Sequence, residues 1–225
     1  YKNIYQIPPG HYLQMIRDNY QIYKYWDFNY PRMNSKTFHT YTVDETVQLF
    51  KEKLEESIRL RLRADVPVGV YLSGGIDSCA LLGMASNIAG KPLAAFNLAF
   101  DNELYNESAI AKEMAEHVGA NLESIPISQQ DIVDNFAKTI WHAEQGIINS
   151  NSVAKFILSG LVRKAGYKTV LTGEGSDEIL AGYPSFRMDV LLQLQSLADT
   201  NKDQLTKDQQ ALVEKNKASL GLLLS

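Results

Sequence analysis

Two short stretches of this sequence combine glycines, hydroxyl residues and acids in an order suited to phosphate chemistry. Residues 73–78 read Ser-Gly-Gly-Ile-Asp-Ser, and residues 173–178 read Gly-Glu-Gly-Ser-Asp-Glu. Glycines let a phosphate approach the backbone closely, and serine hydroxyls add hydrogen-bond donors. Asp77 would repel a phosphate unless Mg²⁺ lay between them, so the acids predict a phosphate ligand held together with magnesium.

Each of these stretches follows a short apolar run. Residues 68–72 and 169–171 are typical of buried parallel strands, and a helical pattern runs from Ser78 towards Gly90. A strand, a small-residue loop and a helix N-terminus form an anion site, because backbone N–H groups point outward there. In a parallel sheet both loops open at the carboxyl edge, so we expect them to share one triphosphate.

The rest of the chain alternates strands with amphipathic helices, which predicts an α/β fold with a doubly wound parallel sheet. Helical spacing covers residues 47–62, 110–118, 132–141 and 153–161, and further strands are predicted at 93–99 and 122–127. The first 40 residues differ. They are rich in tyrosine and predict a β-hairpin with strands at 11–16 and 20–26.

Composition narrows the classes of function. A net charge of −4 gives no support to nucleic-acid binding, and no apolar run is long enough for a membrane span. Cys79 is the only cysteine, which excludes an internal disulfide and indicates a reducing, cytoplasmic location. The start has neither a signal-peptide pattern nor a methionine, so we interpret it as lying inside a larger protein.

Together the two motifs resemble the asparagine synthetase branch of the N-type ATP pyrophosphatases, also called the PP-loop or adenine nucleotide alpha hydrolase-like superfamily. Residues 73–78 resemble its SGGxDS loop, and residues 173–178 its GEGSDE segment. The Pro-Pro-Gly at 8–10 and the Tyr-Trp-Asp at 25–27 resemble the end of its glutaminase domain. The resemblance therefore implies that residues 1–40 end an Ntn-type glutaminase domain. Residues 41–225 are then a synthetase domain that is truncated at its C-terminus, and the position of the family's phosphate-binding lysine is not assigned.

The resemblance also implies the reaction, an asparagine synthase-like ligation. ATP adenylates a carboxylate, with aspartate as the first candidate; pyrophosphate leaves, and ammonia from glutamine displaces AMP. Glu174, Asp77 and Asp177 are the implied catalytic residues, with Glu174 orienting or deprotonating the amine and the two aspartates binding Mg²⁺. The implied ATP-binding residues are Tyr71, Leu72, Ser73, Gly74, Gly75, Asp77, Ser78, Leu98, Thr172 and Gly173.

One departure from the family pattern keeps the acceptor open. Residues 150–153 read Ser-Asn-Ser-Val where asparagine synthetases carry Arg-Ala-Ser-Thr, so an arginine that would pair with a carboxylate is missing. Two alternatives follow: a relative that adenylates another carboxylate in natural-product amide or β-lactam formation, or an inactive nucleotide-binding fragment. The expected partners are a small carboxylate, ammonia or glutamine, and the glutaminase domain of the same full-length chain. Nucleic acid and membrane are not expected, and a homodimer is left open.

Overall fold

The chain divides into two units, Tyr1–Phe50 and Lys51–Ser225. The computed structural model describes residues 2–29, 41–103, 106–201 and 205–224, without the side chains of 201 and 217–224. The predicted boundary after residue 40 lies outside the described residues. It stays a prediction, as does the assignment of residues 1–40 to a glutaminase domain.

The first unit contains the predicted hairpin. Strands β1 (His11–Ile16) and β2 (Asn19–Lys24) pair antiparallel, and Tyr12 stacks on Tyr23 with ring centroids 5.2 Å apart. Asn19 pairs with Ile16 and so belongs to the strand rather than to the turn. Gly10 precedes the hairpin at φ +67, where an added Cβ would lie 2.1 Å from the Trp26 carbonyl oxygen. Only glycine fits that position.

The second unit is built on a four-stranded parallel sheet, which confirms the predicted fold class. Its strands are β3 (Val68–Tyr71), β4 (Ala94–Phe100), β5 (Asn121–Ile127) and β6 (Thr169–Leu171). Their spatial order is β5-β4-β3-β6, so the chain starts at β3, winds outward through β4 and β5, and returns to the other side of β3. The direction of winding reverses between β3 and β6, which is where such sheets open a ligand crevice.

Helices cover both faces of this sheet. The helices before and between the strands are α1 (Val43–Arg61), α2 (Ile76–Ala89), α3 (Ser108–Val118), α4 (Gln129–Ala143) and α5 (Asn151–Lys164). Ile58 of α1, Leu82 of α2 and Ala115 of α3 pack with Val70 and Leu72 in one core cluster. On the other face α5 packs Leu158 and Val162 against Ala94 and Phe96. Successive strand residues thus alternate between the two helix layers, as strand geometry requires.

The helix boundaries follow local capping chemistry. Thr42 and Glu45 form a capping box at the start of α1, with Thr42 N–H donating to Glu45 at 2.8 Å. Ser128 forms a second box with Asp131 and begins α4. Gly90 ends α2 in the left-handed conformation, as predicted. The predicted start of α2 at Ser78 is wrong by two residues, because Gly75 takes the extended N-cap conformation and the helix begins at Ile76.

Helical spacing overestimated burial on two helices. Val133 and Phe136 of α4 are 66% and 41% exposed, and Thr139 is the buried residue of that helix. Val47 and Phe50 of α1 are also exposed, whereas Ile58 is buried. Apolar spacing shows which residues share a face, but it does not show how much of that face a neighbour covers.

Beyond β6 the chain is helical. A short helix α6 (Ser176–Leu180) follows the second loop, and α7 (Pro184–Asn201) and α8 (Lys207–Leu224) come after it. Leu194, Leu205 and Val213 bury one another in a separate small cluster. Over the part of the chain that the structure describes, every helix is too short or too polar to cross a membrane.

Candidate active site

A cleft of about 410 Å³ lies at the carboxyl edge of the sheet, where the loops after β3 and β6 meet. Each of the predicted ATP-binding and catalytic residues except Gly74 lines it. The cleft-lining set is Tyr71, Leu72, Ser73, Gly75, Asp77, Ser78, Leu98, Thr172, Gly173, Glu174 and Asp177. The parallel strand pairing brings these residues together across about a hundred residues of sequence, as the two-loop pattern predicted.

Hydrogen bonds within the loop after β3 shape it. Ser78 Oγ donates to the Gly75 carbonyl at 3.0 Å and accepts from the Ser73 backbone N–H at 3.2 Å. The Gly75 N–H donates to Ser73 Oγ at 3.1 Å. Ser78 is buried, so its hydroxyl braces the loop in this structure. A phosphate would have to exchange with these bonds, and the role of Ser78 as a direct donor stays a prediction.

Gly74 is the member of the motif that faces away from the cleft. It is buried at φ +99, and an added Cβ would lie 2.6 Å from the Glu107 carbonyl oxygen. Both the backbone conformation and the close approach require glycine here. Gly74 therefore lets the loop pack against the start of α3, while Gly75 faces the ligand space.

The loop after β6 lies directly against the first loop. A Cβ on Gly173 would stand 3.0 Å from the Cβ of Asp77 and 3.2 Å from the Ser78 nitrogen. Ser176 Oγ donates to the Gly173 carbonyl at 2.8 Å, and Gly175 adopts φ +93. A Cβ on Gly182 would come within 1.9 Å of Asp177 Oδ1. Glycines on both sides therefore let Asp77 and Asp177 enter one cleft.

Five carboxylates line this cleft: Asp77, Glu107, Glu174, Asp177 and Glu178. Within the described residues no three acidic, histidine or cysteine side chains are grouped closely enough to hold a metal by themselves. Mg²⁺ is usually bound by one or two carboxylates together with substrate phosphates and water. Asp77 and Asp177, which share the cleft with the phosphate-type loop, fit that mode of binding.

Lys155 is a site residue that the sequence analysis missed. It lies on α5 and lines the cleft, and its Nζ donates to Glu174 Oε1 at 2.7 Å. The sequence carried no signal for it, because a lysine within a helix is usually solvated. The structure shows that Asn151, Ala154, Lys155 and Leu158 fall on one face of α5 and that all four line the cleft. The ion pair links α5 to the loop after β6.

A second link joins β3 to α5. The Tyr71 hydroxyl lies 3.1 Å from Ser159 Oγ, and Ser159 Oγ donates to the Lys155 carbonyl at 2.7 Å. Because that bond uses the only hydroxyl hydrogen of Ser159, Tyr71 must be the donor to Ser159. The implied role of Tyr71 in ATP binding stays a prediction. The structure shows in addition that Tyr71 fixes the helical turn that carries Lys155.

One wall of the cleft is apolar and rests on a buried polar network. Phe96, Leu98 and Phe100 of β4 contribute side chains to this wall. Asn97 is 2% exposed; it donates to the Leu72 carbonyl at 2.7 Å and accepts from Ser108 Oγ at 3.1 Å. The Asn97 amide thus ties the end of β3 to the start of α3, directly behind the phosphate-type loop.

Glu178 and Tyr183 also line the cleft. The Tyr183 hydroxyl donates to Glu178 Oε1 at 3.1 Å. This hydrogen bond to a carboxylate, helped by partial burial, raises the pKa of Tyr183 above its ordinary value. Tyr183 therefore stays protonated and serves as a donor at neutral pH. Glu178 is engaged as its acceptor.

The chain is similar in sequence to several known proteins. The protein named Amidase chry2, from Gibberella zeae, is 35% identical over 207 residues, which is 85% of this chain and 30% of that protein. Asparagine synthetase [glutamine-hydrolyzing] 1 from Bacillus subtilis is 30% identical over 151 residues, which is 67% of this chain and 23% of that protein. The chain thus spans less than a third of the length of these relatives.

A solved structure of glutamine-dependent NAD+ synthetase from Acinetobacter baumannii, in complex with ADP, aligns with a TM-score of 0.44. It is 25% identical over 66% of this chain and 29% of that one. The family model described as asparagine synthase matches residues 49–221, a span that contains the whole sheet and both loops. By this match over most of its length, the chain belongs to the asparagine synthase family.

Proposed function

We propose that this chain carries the site of an ATP-dependent ligase that adenylates a carboxylate and converts it to an amide with ammonia. One observation carries the proposal: two phosphate-type loops, each with an aspartate, open into a single cleft at the switch point of the sheet. Membership of the asparagine synthase family supports the same reaction. Glutamine as the ammonia source, and a cytoplasmic location, are part of the proposal.

In the first step a carboxylate oxygen attacks the α-phosphorus of ATP, and the bond from that phosphorus to the bridging oxygen breaks. Pyrophosphate leaves with the electron pair. The backbone N–H groups of the loop at 73–78 and the N-terminus of α2 bind its negative charge. Magnesium, when held by Asp77 and Asp177, supplies further neutralisation of the phosphates. The apolar wall with Leu98 receives the adenine.

In the second step ammonia attacks the carbonyl carbon of the acyl-adenylate, and AMP leaves. The nitrogen must lose a proton, and Glu174 is the acid at the cleft that we assign as its acceptor. Glu174 is 66% exposed and its Oε1 is bonded to Lys155, so only Oε2 is open to the nitrogen until that bond is exchanged. The net reaction consumes carboxylate, ATP and ammonia and yields amide, AMP and pyrophosphate.

Aspartate is the first candidate for the acceptor, and a different carboxylate is the second. The second is favoured by sequence identity. The chain is 35% identical over 207 residues to a protein named an amidase, but 30% identical over 151 residues to an asparagine synthetase. The missing arginine at Ser150 also supports it, since Ser150 cannot pair with a carboxylate as an ion. An inactive nucleotide-binding fragment is the third alternative, and the presence of Asp77, Glu174 and Asp177 in one cleft weighs against it.

The test is to incubate the protein with ATP, Mg²⁺, ammonia and a panel of carboxylic acids that starts with aspartate, and to separate the nucleotide products. AMP and pyrophosphate that depend on one acid would establish the reaction and name the acceptor. ADP as the product would overturn the proposal. ATP that binds without reacting, in a way that Asp77→Ala abolishes, would identify the fragment alternative.

A further inference from the structure

Lys155 is the only basic residue among the described residues that line the cleft, and five carboxylates line it with Lys155. An acceptor acid would bring further negative charge to a cleft that also receives a triphosphate. Mg²⁺ at Asp77 and Asp177 offsets the phosphates, which leaves Lys155 as the protein group that attracts a second anion. The Lys155 ammonium is therefore paired with Glu174 in a cleft whose carboxylates outnumber its basic groups.

The position of Lys155 is fixed by its own helical turn. Ser159 binds the Lys155 carbonyl, and Tyr71 of the sheet binds Ser159. Asn151 lies one turn earlier on the same face and also lines the cleft. The backbone at Lys155 is thus held to the sheet beside the reaction site, while its four-carbon side chain can move its ammonium between acceptors.

The bond to Glu174 is of a kind that exchanges easily. The two side chains are 54% and 66% exposed, and ion pairs this open to water contribute little to stability. An incoming carboxylate can therefore replace Glu174 on Lys155 at small cost. The exchange would release the Glu174 carboxylate towards the amine of the second step.

We propose that Lys155 binds an acidic group of the acceptor that is not the group adenylated, so that the acceptor carries two acids. The inference rests on the proposed function. The reacting carboxylate loses its charge when it becomes an ester of AMP. Lys155 would then return to Glu174 just when the base is needed. A second acid, unchanged by adenylation, holds Lys155 through both steps and keeps Glu174 available. Lys155 is in this way a specificity-determining residue.

The experiment uses pairs of acids that differ by one carboxylate: aspartate and β-alanine, succinate and propionate, phthalate and benzoate. Binding of each acid is measured by calorimetry on protein loaded with Mg²⁺ and α,β-methylene-ATP, which cannot release pyrophosphate. We expect one diacid to bind about tenfold to a hundredfold more tightly than its partner, the strength of one charge-assisted hydrogen bond. Lys155→Met should remove that difference and leave the weaker acid unchanged.

Lys155→Arg, which keeps the charge, should restore most of the difference, and Lys164→Met on the exposed side of the same helix should not alter it. The inference is overturned if no diacid binds better than its partner. It is also overturned if Lys155→Met weakens both members of a pair, or the ATP analogue, equally. AMP formation by the wild type is measured separately. A preference that depends on Lys155 without AMP formation would sustain the binding of a second acid by Lys155 and overturn the proposed function.

Discussion

Gly173 and Asp77 approach so closely that a Cβ on the glycine would lie 3.0 Å from the Cβ of the aspartate. This is the point where the two loops of the cleft touch. Gly173→Ala should push the loops apart and weaken binding of α,β-methylene-ATP by about tenfold to a hundredfold, the range expected for overpacking. Calorimetry measures the affinity.

Gly160→Ala is the matched control for this change, because an added Cβ there meets no atom within 4 Å. Alanine in place of a glycine within α5 should keep or slightly raise stability. Equal nucleotide affinity of Gly173→Ala and wild type would mean that the loops do not need this approach.

Asp77 should be indispensable for pyrophosphate release. Asp77→Ala removes a carboxylate that we assign to Mg²⁺, and turnover should fall on the order of a hundredfold to a thousandfold, as for lost electrostatic stabilisation. A coupled pyrophosphate assay at several magnesium concentrations measures this turnover. Asp65→Ala, an exposed acid in the loop before β3, is the control. Unchanged magnesium-dependent turnover of Asp77→Ala would rule out the metal role.

Glu174 should act in amide formation and not in nucleotide binding. Glu174→Gln retains the shape of the side chain and its bond to Lys155 but cannot accept a proton. We expect ATP affinity within about twofold of wild type and amide formation slower by about 10²–10⁴-fold, the usual contribution of a general base. Quantifying AMP and amide in the same reaction separates the steps, with Glu178→Gln for comparison. Lost binding with normal chemistry would reverse the assignment.

Asn97 should contribute to the stability of the second unit, Lys51–Ser225. Asn97→Leu conserves volume but leaves the Leu72 carbonyl without its 2.7 Å donor in a buried position. The free energy of unfolding should fall by about 1–3 kcal/mol, the cost of an unsatisfied buried polar group. Urea denaturation measures it. Asn87→Leu on the exposed side of α2 should lower the free energy of unfolding much less. Equal decreases for the two variants would show that the buried Asn97 amide does not contribute specifically to stability.

The capping box of α4 should make stability depend on pH in the acid range. The Ser128 side chain and backbone donate to Asp131 and lower the pKa of that carboxyl. A depressed native pKa adds stability above the unfolded value, near 3.8, and that stability is lost as pH falls through the native pKa. Asp131→Asn should therefore destabilise at pH 7, and its difference from wild type should shrink towards pH 2. A constant difference in urea titrations across that range would contradict this.

The two loops and their shared edge were predictable, because glycines and acids after an apolar strand have few other uses and parallel strands end on one side. The burial of helix faces was not. Val133 and Phe136 have the spacing of a core face yet are exposed, since spacing carries no information about the neighbour. Lys155 was missed for a related reason. A lysine in mid-helix is usually solvated, and only the tertiary packing of α5 beside Glu174 gives it a role.

The pairing of β3 with β6 joins residues about a hundred positions apart, after the chain has completed β4, β5 and the helices between them. A ribosome-bound chain that has not yet emerged past Thr169 holds the first loop but lacks the second. Binding of a nucleotide across both loops therefore requires that β6 has joined the sheet. A ligand bound in this way would stabilise the completed sheet and would bind weakly to chains that lack β6.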